Sequence, residues 1–205
     1  MEMGRRIGIM GGTFNPIHIG HLMLAEHAYE EFSLDEVIFL PSARPPHKEE
    51  QILSDINRRE MILLALRSNS HFSFSSLEFE RKGTTYTVDT MSELNKRYPK
   101  DTFYFIIGAD SFFALENWHN PQVLFLQTSF LVATRDGNKR EELERHKNKL
   151  EQQYQAQIAF LNSPNIEISS SVIRKRVLEG KSITYYVPEM VEDYIYSHKL
   201  YLEKI

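Results

Sequence analysis

The chain has 205 residues, 41% of them hydrophobic, with a formal net charge of -4 and no cysteine. That length suits one domain with a substantial core, and the mild acidity speaks against nucleic acid or an anionic membrane as the main partner, since either favours a basic face. There is no disulfide or thiolate site, no apolar run approaches the ~18 residues of a membrane span, and Met1 to Arg6 lead into a strand rather than a signal-peptide core, so a cytoplasmic protein is expected.

The apolar stretch Ile7-Gly8-Ile9-Met10 reads as a first strand. Behind it, Gly11-Gly12 lets the backbone turn sharply and approach a ligand closely. A helix is expected near Gly20 with its free N–H groups facing that turn, so the run from Gly11 to His21 reads as a phosphate site. His18 and His21 are three residues apart and project to one side, toward any anion held there. Two other readings stay open at this point: a plain structural turn, and a metal site for which Glu26 is the carboxylate in reach and a third ligand is wanting. The spacing is not the G-x-G-x-x-G of dinucleotide-binding folds, which leaves hydride transfer with little support. Leu22, Ala25, Tyr29 and Phe32 form the core face of the helix.

Val37 to Leu40 has the continuous apolar character of a parallel strand buried on both faces, closed by Pro41 ahead of a polar loop with Pro45, Pro46 and Lys48. Ser54 caps a helix running to about Ser68, Phe72 to Leu77 alternates like a strand, and Thr87 starts a helix that ends before Pro99. Phe103 to Ile107 is the clearest buried strand. Gly108 and Asp110 follow at its carboxyl end, where open α/β sheets bind ligands. Asn120-Pro121 reads as an N-cap with proline at the first helical position, Phe130 to Ala133 as a strand, the charged run from Asn138 to Gln155 as a solvated helix, and Ile158 to Leu161 as a last strand. Ser169-Ser170-Ser171 opens a further helix. Its hydroxyls either cap free N–H groups or bind phosphate oxygens, and Arg174, one turn on, reaches the same place with a planar fork of donors. Gly180 ends that helix, and Pro188 to Ser197 gives a final one. The alternation predicts an α/β fold, a Rossmann-like doubly wound parallel sheet over 1–205. A C-terminal helical part from about 169 packs on it, and the Gly11 and Gly108 turns meet at its switch point.

Taken together, these segments resemble the HxGH nucleotidyltransferases, and among them the bacterial nicotinate mononucleotide adenylyltransferases, over nearly the whole chain. The family's glycine pair, T-F, x-P and H-x-G-H elements stand at Gly11 to His21, and its P-P-H-K loop at Pro45 to Lys48. Its Y-T-x-D-T helix start stands at Tyr86 to Thr90, its G-A-D at Gly108 to Asp110, its nicotinate-stacking tryptophan at Trp118, and its S-S-T/S-x-I-R element at Ser169 to Arg174. Asn15 stands where many members carry Asp, and His119 where Tyr is frequent.

The resemblance implies a single nucleotidyltransferase domain in which the phosphate of nicotinate mononucleotide attacks the α-phosphorus of ATP, giving deamido-NAD and pyrophosphate in NAD biosynthesis. It implies Mg²⁺ entering with ATP on the phosphates, with no ligand set from protein side chains. His18, His21 and Arg174 are implied as the catalytic residues. Backbone N–H groups of Thr13 and Phe14 behind Gly11-Gly12 hold a phosphoryl group, Ser169, Ser170 and Arg174 clasp the leaving oxygens, and Lys48 adds a contact. Gly108 and Asp110 meet the ribose and adenine side. Trp118 stacks on the pyridine ring while N–H groups at Thr87 and His119 receive its carboxylate, which favours the acid over the amide. Two alternatives stand beside this reading: adenylyl transfer to nicotinamide mononucleotide or phosphopantetheine, and a non-catalytic nucleotide-binding protein. The sequence leaves the oligomeric state open, a homo-oligomer included.

Overall fold

A computed structural model describes residues 4–43, 52–81, 83–134, 140–164 and 167–203. Among these, the strands are β1 (Arg6–Gly12), β2 (Glu36–Pro41), β3 (Phe72–Phe74), β4 (Thr102–Gly108), β5 (Ser129–Thr134) and β6 (Ile158–Asn162). The helices are α1 (Ile19–Glu31), α2 (Asp55–Leu66), α3 (Thr87–Arg97), α4 (Ala109–Phe113), α5 (Pro121–Leu124), α6 (Arg140–Tyr154), α7 (Ser170–Leu178) and α8 (Glu189–Ser197). The strands form one parallel sheet in the order β3-β2-β1-β4-β5-β6. This is the doubly wound Rossmann-like architecture that the alternating pattern predicts.

The order fixes where a ligand can sit. From β1 the chain steps outward to β2 and β3, then crosses back to β4 and steps outward the other way, so the loops after β1 and β4 diverge and leave a crevice between them. The register Ile9↔Phe105 and Met10↔Ile106 carries Gly11-Gly12 and Gly108 to the same edge of the sheet. Successive residues of β1 feed opposite faces, as the pleat requires. Met10 joins a core with Phe39, Met61, Ile62 and Ile173, whereas Ile7 and Ile9 join a second core with Met91, Phe105 and Phe112.

Three elements differ in detail from expectation. The strand expected over Phe72 to Leu77 stops at Phe74. There the serine side chains take over the local bonding: Leu77 N–H donates to Ser75 Oγ (3.3 Å), and a turn follows, closed by Glu80 N–H on Ser76 O (3.2 Å). Asn120 precedes α5 as expected, but in the left-handed region (φ 48°) and without a side-chain cap bond. The charged helix α6 is seated by Leu143 and Leu150, seven residues apart and both buried in the second core.

Behind α7, the chain folds back onto the first core through Val191 and Ile195 of α8, followed by Leu200 and Tyr201. Tyr194 Oη donates to Asn57 Oδ1 of α2 (3.0 Å), and Ile19 N–H, at the start of α1, donates to Tyr186 O (2.9 Å). The Tyr201 phenol is buried and donates to Asn15 Oδ1 at 2.9 Å, an oxygen that Leu53 N–H also reaches at 3.4 Å. Burial holds the Tyr201 phenol well above the usual tyrosine range. Replacing Tyr201 with Phe removes the shorter of the two bonds to a buried acceptor and is expected to lower unfolding free energy by about 1–2 kcal/mol. Urea denaturation of the two proteins measures it.

Candidate active site

Three helix N-termini converge on the crevice. The starts of α1 (His18, Gly20, His21), α3 (Tyr86, Thr87) and α7 (Ser169, Ser170, Ser171) all line one cavity of about 1420 Å³, floored by the ends of β1 and β4. Each brings the positive end of a helix dipole. The first turns of α1 and α7 carry no acidic residue, so that potential is not cancelled locally.

Between the starts of α1 and α7 the loop after β1 is held carbonyl by carbonyl. Gly12 O accepts from Ser42 N–H (2.9 Å) and Ser42 Oγ (3.3 Å), and Thr13 O from Arg58 Nη1 (2.9 Å). Asn15 O accepts from Arg174 Nη1 (2.9 Å) and Pro16 O from Ser170 Oγ (2.8 Å). Gly11 is required by space: a Cβ there would lie 2.6 Å from Phe105 Cζ. Phe14 adopts a positive φ of 48°, and its buried ring packs against Phe39 (5.8 Å) and the edge of His21 (5.0 Å between centroids).

The two histidines do face the same way. Their rings stack at 3.6 Å and 21°, and His18 N–H donates to His21 Nδ1 (3.2 Å). An accepting Nδ1 carries no proton, so a neutral His21 keeps its donor at Nε2. His18 is only 5% exposed, and burial lowers its pKa to about 4. It is therefore neutral at pH 7. Its Nδ1 is buried without a hydrogen-bond partner among the described residues.

Trp118 also lines the cavity, half-buried and edge-on to Phe105 (6.0 Å, 85°). The exposed ring of His119 stacks on Tyr86 (4.2 Å, 26°), which draws the Trp118 loop against the start of α3. Thr87, the first residue of that helix, lies in the same corner.

Of the residues singled out by sequence, Gly11, Gly12, Thr13, His18, His21, Thr87, Gly108, Trp118, His119, Ser169, Ser170 and Arg174 all line this one cavity. Phe14 lies outside the lining, its ring buried in the first core. Asp110 is exposed in the first turn of α4 and lies outside the lining, where Ser111 stands beside Gly108 instead. Lys48, with the Pro45 to Lys48 loop, lies outside the described residues. Among the described residues no group of three or more His, Cys, Asp or Glu is placed to hold a metal ion. Sequence reading passed over Ser42 and Arg58. A signal for Arg58 existed: it falls on the apolar stripe of α2 with Met61, Ile62 and Ala65, spaced three, four and seven residues apart. It also gave no structural role to Asn15, whose buried side chain anchors Tyr201 rather than facing the cavity.

The neutral His18 makes the fold pH-sensitive. Its pKa is lower when folded than the usual value near 6.5, so the unfolded chain binds the extra proton and stability falls as pH drops from about 6.5 toward 4. His18→Gln, which stays uncharged, is expected to flatten that fall by up to about 1 kcal/mol per pH unit across the window. Denaturation curves at pH 7, 6 and 5 for both proteins give the comparison.

Comparison with known proteins agrees with this geometry. The profile of the cytidylyltransferase-like family matches residues 9–176. A protein of Lachnoclostridium phytofermentans named probable nicotinate-nucleotide adenylyltransferase is 47% identical over 199 residues, covering 97% of this chain and 100% of its own. One of the same name from Exiguobacterium sibiricum is 43% identical, covering 96% and 98%. Among solved structures, the nicotinic acid mononucleotide adenylyltransferase of Plasmodium falciparum complexed with NaAD superposes with a TM-score of 0.81 over 97% of this chain and 100% of that one, at 23% identity, which speaks to the fold. The chain belongs to the cytidylyltransferase-like family and, within it, to the nicotinate-nucleotide adenylyltransferases.

Proposed function

We propose that the protein joins the adenylyl group of ATP to nicotinate mononucleotide, releasing pyrophosphate and giving deamido-NAD. The observation that carries this reading is the single cavity whose one end gathers His18, His21, Ser170 and Arg174 while the other holds Trp118 beside the start of α3. Two anionic substrates fit end to end across the β1/β4 crevice, and transfer at phosphorus needs alignment and charge stabilisation more than a protein nucleophile. The phosphate oxygen of nicotinate mononucleotide forms a bond to the α-phosphorus as the bond to the β-phosphate oxygen breaks, and the electron pair leaves with pyrophosphate.

In this reading His18 and His21 donate to the phosphates at the α1 start, and Arg174 with Ser169 and Ser170 meets the leaving group. N–H groups of Thr13 and Phe14 hold a phosphoryl group, Gly108 lies beneath the ATP ribose, and Lys48 and Asp110 add contacts on the same side. Neutral His18 serves as a donor that brings no extra proton to the reacting oxygens. ATP enters as its magnesium complex, and the ion would supply charge neutralisation on the pyrophosphate side. Trp118 stacks on the pyridine ring, and the Thr87 and His119 N–H groups take its carboxylate. The named activity of the relatives supports the choice of acceptor, as does the NaAD bound to the Plasmodium neighbour. This reading sets the reaction in the cytoplasm.

Pyrophosphate release with MgATP and each of nicotinate mononucleotide, nicotinamide mononucleotide and phosphopantetheine tests the assignment. The nicotinate compound is expected to be used most efficiently, with turnover nearly abolished by chelating the metal; equal or better use of phosphopantetheine overturns the reading. Trp118→Ala is expected to raise KM for the pyridine nucleotide by roughly 10-fold while KM for ATP changes little, the stacking contribution being about 1–3 kcal/mol. Steady-state kinetics with each substrate varied in turn separates the two effects.

A further inference from the structure

Arg58, in the first turn of α2, is fully buried. A guanidinium survives inside a protein only with several partners, and here it has them. Nη1 donates to Thr13 O (2.9 Å) and Ser42 O (2.6 Å), and Nη2 donates to Ala43 O (3.4 Å) and the Asp55 carboxylate. The guanidinium carbon lies 4.8 Å from the centroid of the Phe79 ring. One planar fork therefore ties the loop after β1 to the loop after β2. From the β2 side, Ser42 also fixes the neighbouring peptide through its bonds to Gly12 O.

In a planar trans peptide the C=O and N–H point opposite ways. Holding Gly12 O against Ser42 and Thr13 O against Arg58 turns the N–H groups of Thr13 and Phe14 to the other side. Thr13 lines the cavity and Arg58 does not. Phe14, at φ 48°, completes the kind of turn in which successive N–H groups form an anion-binding concavity. The Arg58 charge lies directly behind that concavity, and its counter-ion Asp55 is half exposed, so solvent weakens the compensation while the buried cation keeps its field.

We propose that Arg58 is a positioning residue for adenylyl transfer: it fixes the Thr13–Phe14 peptide with its N–H toward the nucleotide phosphates and lends positive charge from behind, touching neither substrate. The proposal rests on the adenylyltransferase reading above. Arg58→Lys keeps the charge but loses the fork, and Arg58→Gln keeps a single amide donor group without the charge. Three measurements on wild type and both variants test it: kcat and KM for MgATP, calorimetric affinity for magnesium pyrophosphate, and quenching of Trp118, the sole tryptophan, by nicotinate mononucleotide.

The expected result is a fall in kcat of about 10²-fold for Gln and less for Lys, as for a small misplacement of reacting groups. Pyrophosphate affinity should fall about 10-fold with loss of the charge-assisted arrangement, while half-saturation of Trp118 quenching stays within about twofold of wild type. The proposal is overturned by wild-type kcat and pyrophosphate affinity in both variants, by a parallel loss of pyrophosphate and nicotinate mononucleotide binding, or by failure of both variants to fold. Should wild type form no dinucleotide from nicotinate mononucleotide, the functional reading falls, and the pyrophosphate titration alone still decides the role of Arg58.

Discussion

The direction of the peptide groups between Gly12 and Pro16 governs the rest of the site. Their oxygens are taken by donors from three distant places: Ser42 after β2, Arg58 in α2, and Ser170 and Arg174 in α7. Each bond is worth only about 0.5–1.5 kcal/mol net. Their combined effect is orientational, because a peptide whose oxygen is pinned cannot flip without losing that bond. The conformational cost of arranging donors for an anion is met when the chain folds, which is the condition for stabilising charge as it develops in a reaction. The last turn of the chain takes part too, through Tyr201 on Asn15.

Electrostatically the cavity is unlike the protein as a whole. A chain of net charge -4 converges three helix starts on one crevice, two of them without acidic residues in the first turn, and adds a buried guanidinium behind the glycine turn. Glu78, a carboxylate in the lining, is engaged by the Thr90 hydroxyl (2.8 Å). Substrate anions therefore meet local donors and dipoles, and the total charge says nothing about that encounter. Keeping His18 neutral follows the same economy: burial supplies a ring donor without another proton to control.

Much of this was legible because the signals are local. The glycine pair, the Ser54 and Ser169 caps, and the apolar run Phe103 to Ile107 act within a few residues of themselves, and each appears where expected. The doubly wound order follows from alternation plus the handedness of crossovers. What escaped depends on partners far along the chain. Ser170 reaches Pro16 across 154 positions, and Arg174 reaches Asn15 across 159. No spacing rule announces such contacts, so reading Ser170 and Arg174 as phosphate ligands gave no sign of their role as clamps on the loop. Arg58 was hidden by company: amid Arg59 and Glu60 it looks like one more surface charge, and only its register with Met61 and Ile62 gives it away. Asp110 is exposed between the lining residues Gly108 and Ser111, a placement that its motif position alone does not announce.

The contact of Gly11 with Phe105 carries a consequence for anyone wishing to reshape the cavity. The Phe105 ring fills the space a side chain at position 11 would need, and the edge of Trp118 rests against that same ring. The glycine turn and the aromatic wall are thus neighbours through a single phenyl group, itself wedged against Phe130 (6.1 Å). A compound that gains room by displacing Trp118 presses on the glycine turn, and a mutation that thickens the turn tilts the aromatic wall. The two ends of the cavity do not drift independently: inhibitors and resistance substitutions aimed at one end are felt at the other.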